Sequence, residues 1–458
     1  MADDSRPPDM ADVAADKQPT RPDHVSTFAA LHERNYRLYF SGSVISNIGT
    51  WMQRIAQDWL VLELTKSPFA VGITMALQFL PLMLLGLYGG VAADRFPKRR
   101  LLISTQTIMG LLAAALAIVT LTGVVTVWHV YAVAFLLGLV TVVDNPARQI
   151  FVNEMVPASL VRNAVSLNSG SFQIARLVGP AVAGVMIAAV GSGWAFAINA
   201  VSFIATIAAL AAMNPALLQK MPRAARKPGQ IREGLRYVWA RPDLKWLIIL
   251  VFFIGTFGFN FAIILSAYAK ITFDSNASLY GWLNTALAVG SLTGALFAAR
   301  RATVRLGFLF GAAALFGVSM IVLGFIGWIP LFMVLLVPSG MLAIAFNAMA
   351  NATVQLSTDA AVRGRVMSLY MLLLAGGTPI GAPLIGGIAD IWGAPVAMWV
   401  SGAICLTATI ACAIGAARQA GIRVHLDLHR SAVRRLVLVR GDEAVAEVDG
   451  SARGVTKP

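Results

Sequence analysis

The sequence contains few charged residues and almost no cysteine. Charged side chains make up 13% of the 458 residues, whereas soluble proteins average about 25%. Hydrophobic residues make up 58%, and a water-soluble protein of this length has no way to bury so much apolar surface. Two cysteines are too few for a disulfide scaffold. The composition therefore predicts an integral membrane protein, and it excludes a nucleic-acid-binding protein although the net charge is +14.

Motifs of metal-binding proteins and ATP hydrolases are also missing. The five histidines all lie outside the predicted spans or at their ends, and we expect no metal site. The chain has no Walker-type phosphate-binding loop, so we expect no ATP hydrolysis by that route. We therefore predict that the protein needs no cofactor and is not an enzyme.

Apolar windows of about 20 residues, the length that crosses a bilayer as a helix, recur along the chain. A membrane β-barrel would instead show alternating segments of about ten residues. The windows cover approximately residues 38–63, 69–93, 101–122, 127–147, 164–190, 193–213, 245–269, 278–299, 306–326, 330–351, 366–389 and 395–417. The sequence thus predicts an all-α integral membrane protein with twelve transmembrane helices.

Lysine and arginine are distributed unevenly between the connections. The two tails and the even-numbered connections contain 32 of the 36 residues, whereas the odd-numbered connections contain only Lys66 and Lys270. Basic connections stay on the cytoplasmic side of a membrane. We therefore predict an even number of spans in the cell (inner) membrane, with both termini in the cytoplasm.

The longest basic connection, residues 214–243, lies near the middle of the chain and suggests two pseudo-repeats of six helices, a plan known from transporters. Some residues recur between the halves. Asn145 and Gln149 recur 206 residues later, and Arg162, Pro180 and Gly184 recur 203 residues later. The predicted regions are a disordered cytoplasmic N-terminal tail at 1–36, six-helix bundles at 37–213 and 244–417, the cytoplasmic connection at 214–243, and a cytoplasmic C-terminal tail at 418–458.

The connection after the second span, residues 90–102, reads G-V-A-A-D-R-F-P-K-R-R-L-L. It resembles the loop G-x-x-x-D-R-x-G-R-[RK]-x-x-L of the major facilitator superfamily. The resemblance implies that Gly90 permits close helix packing and that Asp94, Arg95 and Arg99 belong to a charge network. In that network Asp94, Arg99 and an acid at the inner end of span four, matched by Asp144, lock the outward-facing state.

Two departures from the family pattern affect this lock. Pro97 replaces the usual glycine, and the equivalent loop of the second half, residues 294–305, keeps arginines but has no acid. We therefore expect a one-sided lock. The alternative is a short loop whose charges serve only to orient the chain in the membrane.

Span five contains Gly179, Pro180 and Gly184, and this spacing resembles the helix motif that marks exporters of the superfamily. Span eleven repeats part of it with Pro383 and Gly387. Small residues allow helices to approach closely, and proline bends a membrane helix. Ordinary small-residue packing is the alternative explanation.

Residues 35–42 and 49–61 are similar to the start of the enterobactin-exporter-like and macrolide-efflux-like branch of that superfamily. The resemblance covers approximately residues 28–417. It implies export of siderophores or drugs, commonly driven by the proton gradient. The arginine usual in span four of better-known proton-coupled drug exporters is absent, so the coupling mechanism stays open, with Arg54 and Arg176 as candidate substitutes.

Charged residues inside the predicted spans are the strongest candidates for function. Arg176 lies near mid-membrane, where an arginine costs at least about 2.5–3.5 kcal/mol and should face a cavity or an acid. Span one carries Arg54, Gln57 and Asp58, with Arg54 and Asp58 one turn apart. Asp58 is either a titrating group that couples transport or one partner of a static ion pair with Arg54 or Arg176.

Three amides in the second half are further candidates for contact with a ligand. They are Asn260 in span seven, and Asn347 and Asn351 in span ten. In the fold that the resemblance implies, these spans line the central cavity. Hydrogen bonds between helices are an equally good explanation of these amides.

These features predict a secondary active exporter of an amphipathic small molecule of the drug or siderophore class. We expect alternating access, proton antiport and a monomer whose partners are the substrate, protons and the lipid bilayer. One alternative is a lipid or lysolipid flippase of the same fold. A second, a non-transporting scaffold or receptor, is disfavoured because an inert bundle gains nothing from the cost of buried charges.

Overall fold

In the computed structural model, the described residues are 28–219, 230–299, 306–359, 362–419, 422–426 and 436–440. Short 3₁₀ helices occur at Ala29–His32, Ala158–Leu160 and Pro215–Leu217. The first six α-helices are α1 (Arg34–Thr65), α2 (Pro68–Arg95), α3 (Lys98–Leu121), α4 (Val127–Glu154), α5 (Val161–Val190) and α6 (Ser192–Ala211). Each coincides with one predicted span.

The remaining helices are α7 (Gln230–Ala240), α8 (Pro242–Phe253), α9 (Phe261–Ala267), α10 (Ala277–Ala299), α11 (Leu306–Leu323), α12 (Ile329–Ser357), α13 (Arg363–Gly376), α14 (Thr378–Trp392) and α15 (Ala394–Gln419). Two predicted spans are interrupted. Span seven consists of α8, a π-helical turn at Ile254–Gly258, α9 and a second π-helical turn at Tyr268–Thr272. Span eleven consists of α13 and α14, separated at Gly377.

Eleven segments of the described residues are long and apolar enough to cross a membrane, and they match predicted spans two to twelve. The first predicted span, α1, does not meet the same standard because polar residues lower its hydropathy. Its 32 residues extend about 48 Å at 1.5 Å per residue, which is sufficient length. It packs against α5 and α6, so that buried residues such as Gln53, Gln57 and Asp58 lie inside the bundle.

The N-terminal tail predicted at 1–36 is too long at its C-terminal end, because residues 28–36 are structured. Tyr36 is fully buried, and its hydroxyl donates to the backbone oxygen of Ala164 at 2.8 Å. The backbone amide of Ala30 donates to the side chain of Asn163 at 2.9 Å. These contacts fix the entry to α1 on the start of α5. Residues 1–27 lie outside the described part of the chain.

The connection predicted at 214–243 is not a simple loop. It contains α7, and α8 begins at Pro242. Helix α7 packs against α8 and α13 through buried Val238. The Tyr237 hydroxyl of α7 donates to Asp359 Oδ2 at 3.0 Å. In the C-terminal tail, β1 (Ile422–Leu426) and β2 (Leu436–Arg440) form an antiparallel pair in which Ile422 faces Arg440.

The two most extensive contacts between helices of the two halves are α2 with α14 and α5 with α10. Glycines make both approaches close. A Cβ atom at Gly184 of α5 would lie 2.8 Å from the backbone oxygen of Ala277 and 2.9 Å from Cα of Gly281. A Cβ atom at Gly386 of α14 would lie 2.7 Å from the backbone oxygen of Pro68. Both contacts lie at the helix ends joined by odd-numbered connections, so the halves are closed together there.

Candidate functional site

A cavity of about 340 Å³, the central cavity, lies between α1, α2 and α5 on one side and α9, α10, α12 and α13 on the other. Its charged lining residues are Arg54, Asp58 and Arg176, and its neutral polar lining residues include Gln57, Gln78, Asn284, Ser291 and Asn347. Its aromatic lining residues are Trp51, Phe79, Phe259 and Phe261. A volume of this size accommodates one small molecule.

Arg54 and Arg176 both lie beside one aromatic residue of the cavity wall, Trp51. Their guanidinium carbons are 5.1 and 5.7 Å from the ring centroid of Trp51, within the range of cation–π attraction. Neither arginine has an ion-pair partner among the described residues. The predicted alternative of a static pair with Asp58 is therefore not realised in this conformation.

Asp58 instead contacts the second half of the chain. The Tyr280 hydroxyl lies 3.0 Å from Asp58 Oδ2 and 3.2 Å from the backbone oxygen of Ala262. One hydroxyl hydrogen has two acceptors within reach. When Asp58 is ionised, Tyr280 donates to it; when Asp58 is protonated, Asp58 can donate to Tyr280 while Tyr280 donates to Ala262. The contact accommodates both protonation states.

Aromatic packing surrounds this contact on its outer side. Trp59 stacks on Tyr280 with 6.1 Å between the ring centroids and 22° between the planes. The Lys270 ammonium lies 5.0 Å from the Trp59 centroid, and Trp59 Nε1 donates to Glu63 Oε1 at 2.8 Å. Residues of α1, α10 and the second π-helical turn thus meet beyond Asp58 and separate it from the helix ends.

The structure places the predicted ligand contacts in two groups. Arg54, Gln57, Asp58, Arg176 and Asn347 line the central cavity. The Asn347 side chain accepts a hydrogen bond from the Tyr370 hydroxyl at 2.8 Å, which orients its amide.

Asn260 and Asn351 do not belong to the central cavity. The Asn260 side chain donates to the backbone oxygen of Thr256 at 2.7 Å, a residue of the first π-helical turn. Asn351 accepts from Gln355 Nε2 at 2.6 Å on its own helix. Both amides bond within their own span, so neither hydrogen bond joins two spans as the alternative explanation from the sequence proposed.

Sequence reasoning missed the polar residues of α10. Asn284 and Ser291 are two turns apart and line the cavity together, and Tyr280 lies one turn before Asn284. The spacing of 4 and 7 residues is the signal of one helix face. This spacing was present in the sequence, but three uncharged polar residues give a weak signal within an otherwise apolar span.

Of the predicted lock residues that the structure describes, Arg99 and Asp144 are not joined in this conformation. Arg99 Nε and Nη2 donate to the backbone oxygens of Leu210 and Ala211 at 2.6 and 2.7 Å, so Arg99 caps the end of α6, whose last carbonyls have no helical donor. Arg95 is exposed. The surroundings of Gly90 and the side chain of Asp94 lie outside the described part of the structure.

Asp144 forms a buried network within the first half. Its Oδ1 accepts from Thr105 Oγ1 at 2.6 Å and Gln106 Nε2 at 2.9 Å, and its Oδ2 accepts from Arg148 Nε at 2.6 Å. The side chain of Arg148 is also held by Tyr39. Both oxygens of the carboxylate are therefore occupied without Arg99.

Four of the five residues of the exporter-type motif lie at close helix contacts or at the cavity. A Cβ atom at Gly179 would lie 2.6 Å from Cβ of Trp51, so this glycine brings α5 onto the helix that carries the cation–π contacts. Pro180 lines the cavity. In span eleven Pro383 lies against Gly72, whereas a Cβ at Gly387 would meet only the Phe69 ring at 3.6 Å, an ordinary contact.

Groups of three or more potential metal ligands are absent from the described residues. The two cysteines, Cys405 and Cys412, are buried and free. The central cavity therefore offers charge, amides and aromatic surface as its means of recognition.

Known proteins resemble the chain over most of its length. The profile of a family described as transmembrane secretion effector matches residues 25–425. The multidrug efflux pump Tap of Mycolicibacterium fortuitum is 28% identical over 78% of this chain and 89% of its own length. The staphyloferrin A transporter of Staphylococcus aureus is 24% identical over 81% and 94%. The enterobactin exporter EntS of Shigella flexneri is 22% identical over 77% and 84%.

Solved structures share the arrangement of helices. A bacterial homologue of the human lysosomal transporter Spinster, solved in an inward-facing and unoccupied conformation, superposes with a TM-score of 0.64. The match covers 84% of this chain and 95% of that protein, at 12% sequence identity. At this identity the likeness concerns the fold.

Proposed function

Because this chain belongs to the transmembrane secretion effector family of the major facilitator superfamily, we propose that it exports an amphipathic small molecule by alternating access, in exchange for protons. The predicted superfamily and fold are confirmed. The chain is a multi-pass membrane protein and a secondary transporter of small molecules, as are its relatives. The export direction, the exchanged proton and a monomeric state are parts of the proposal.

The observation that carries the proposal is the central cavity. It is formed by helices of both halves and contains three charged side chains. Charged side chains within membrane proteins mark substrate or proton pathways. A cavity between two halves is also the place where a rocking movement exposes a ligand first to one side and then to the other.

The closed contacts support an assignment of the conformation. The halves meet at the helix ends next to the odd-numbered connections, through Gly184 with Gly281 and Gly386 with Pro68. The distribution of basic residues predicts that those ends lie outside the cell. We propose that both termini lie in the cytoplasm and that the structure is an inward-facing state. We propose that Asp94, Arg95, Arg99 and Asp144 act as a lock in the opposite state.

Asp58 is our candidate for the proton-carrying group. It is the only acid among the described residues that line the central cavity, and it also forms the contact with Tyr280 across the closed end. A group in this position is reached from the outside only after the halves separate there. Since the contact suits both protonation states, the carboxyl can return inward with a proton and release it to the cytoplasm.

An efflux assay tests this function without assuming the charge of the cargo. Bacteria lacking their own efflux pumps are loaded with 1-pyrenebutyrate, 1-pyrenebutanol or 1-pyrenebutylamine, which share one apolar body. We expect the intact chain to lower retention of at least one compound, and a protonophore to remove this effect. Asp58→Asn should lose the effect as well.

Asp390→Asn is the matched control, because this exposed carboxyl of α14 lies away from the cavity. It should export normally. Unchanged export by Asp58→Asn would remove Asp58 from the mechanism. Equal retention with and without the chain for every compound would contradict export, and lipid transfer between leaflets of vesicles under the same conditions would favour a flippase.

A further inference from the structure

The charged residues of the central cavity do not balance one another. Of the described lining residues, two are cationic and one is anionic. The anionic one, Asp58, accepts from Tyr280 and makes no ion pair with either arginine. With Asp58 ionised, the cavity wall therefore carries an excess of one positive charge.

An uncompensated cation in the middle of a membrane protein is costly, because the surroundings solvate it poorly. The ring of Trp51 stabilises both guanidinium groups, but a neutral ring does not cancel their charge. Both arginines are only partly buried, since they face the cavity. An anion in the cavity is the partner that this wall lacks.

Guanidinium groups favour a particular kind of anion. Each presents a planar set of donors that matches the two oxygens of a carboxylate or phosphate. The amides of Gln57, Asn284 and Asn347 add neutral polar groups to the same cavity. Across from α1 and α5, Phe259, Phe261 and Ile344 present an apolar surface that suits the body of a ligand.

We infer that the cargo is an amphipathic oxyanion, whose carboxylate or phosphate lies between Arg54 and Arg176 and whose apolar body rests on the aromatic residues of the second half. That the bound anion is exported rests on the proposed function, but its binding in the cavity does not depend on transport. The charge excess, the two arginines beside Trp51 and the opposite apolar wall all point to the same ligand class.

Binding to the purified protein in lipid nanodiscs tests the inference without any gradient. The probes are 1-pyrenebutyrate, 1-pyrenebutylamine and 1-pyrenebutanol, with lysophosphatidate as the lipid phosphate. We expect 1-pyrenebutyrate or lysophosphatidate to bind at least about tenfold more tightly than 1-pyrenebutylamine. A tenfold difference in affinity is about 1.4 kcal/mol, which is typical of one charged contact. A preference for lysophosphatidate over the carboxylate would identify a lipid as the source of the anion.

Substitutions assign the effect to the arginines. Arg54→Gln and Arg176→Gln should each weaken anion binding about tenfold, while Arg54→Lys, which keeps the charge, should retain part of the affinity. Arg418→Gln is the control, since this exposed arginine ends α15 far from the cavity lining. Thermal unfolding of each variant verifies that it remains folded.

The sign of one further change separates an anionic from a cationic ligand. Asp58→Asn raises the excess charge of the wall from one to two, so it should tighten binding of the anion severalfold, although the same variant abolishes coupled export. Tighter binding of the amine than of either anion, or unchanged anion affinity in both arginine variants, would overturn the inference. Anion binding without export would instead contradict the proposed function alone.

Discussion

The first helices of the two halves differ in both continuity and chemistry. In the first half, α1 runs unbroken from Arg34 to Thr65 and carries Arg54 and Asp58. In the second half, the corresponding span is divided into α8, a π-helical turn, α9 and another π-helical turn, and it contributes Phe259 and Phe261 to the cavity. One half supplies charge from a continuous helix, and the other supplies apolar surface from an interrupted one.

The fifth helices show the same difference. α5 is continuous through Pro180, whereas its counterpart is separated at Gly377 into α13 and α14. π-helical turns and breaks leave backbone groups without their regular partners and often occur at functional sites. Charged groups must be held at fixed positions to recognise a ligand, while an apolar wall tolerates adjustment. The two halves therefore line the cavity differently, with charged residues on continuous helices of the first half and apolar residues beside interrupted helices of the second.

The contact between the halves should be most sensitive to substitution. Gly184→Val places a side chain against the backbone of Ala277 and Gly281, atoms that cannot yield without separating α5 from α10. We expect export to fall to background in the pyrene assay, and Gly281→Val should do the same. Gly387→Ala should export normally, because the added Cβ atom meets only the ring of Phe69 at an ordinary contact distance of 3.6 Å. Normal export by both valine variants would contradict the assigned interface.

A second prediction uses the buried ion pair of the first half. At an offset of 206, Asp144 and Arg148 correspond to Ala350 and Val354, which are fully buried. Asp144→Ala alone should destabilise the protein by about 3–5 kcal/mol because Arg148 loses its partner.

The double variant Asp144→Ala with Arg148→Val copies the second half. It should recover most of that loss, because apolar residues often replace a buried pair at little cost. Thermal unfolding in nanodiscs measures both variants. A double variant as unstable as the single one would contradict this prediction, because it would show that the apolar residues of the second half cannot replace the ion pair of the first.

The smallest effect is expected from the apolar wall. Phe261→Ala should weaken all three pyrene compounds by a similar factor, about three- to tenfold, since it removes contact with their shared body. Arg54→Gln should instead change their order of affinity. Equilibrium binding to the protein in nanodiscs separates these outcomes. A changed order of affinity among the three compounds in Phe261→Ala would mean that the second half also discriminates ligands by charge.

Much of the architecture was predictable because membrane spans leave a strong signal. Twelve apolar windows located twelve helical regions, and the basic connections predicted the orientation of these regions in the membrane. The predicted windows 164–190 and 193–213 leave only two residues between them, and the backbone φ of 87° at Gly191 shows why glycine stands there. The interruptions at residues 254–258 and 377 left no such trace, because hydropathy is the same in an α-helix and a π-helical turn.

The candidate site was predictable only where a residue was anomalous in its surroundings. Arg54, Asp58 and Arg176 were conspicuous as charges in apolar spans, and all three line the cavity. Tyr280 was not, since its partner lies 222 residues away and no local pattern encodes such a contact. Asn260 looked like a ligand contact but satisfies a backbone oxygen nearby, because an amide serves either purpose.

The excess positive charge beside Trp51 also bears on energetics across the whole membrane. A cell keeps its interior at a negative voltage, and a transferred elementary charge is worth about 2.3 kcal/mol per 100 mV. An anion that leaves through this cavity moves down that voltage. By selecting anions, Arg54 and Arg176 would make the export step electrically favourable before any proton is exchanged, and the measured current should then reverse sign with the polarity of the membrane.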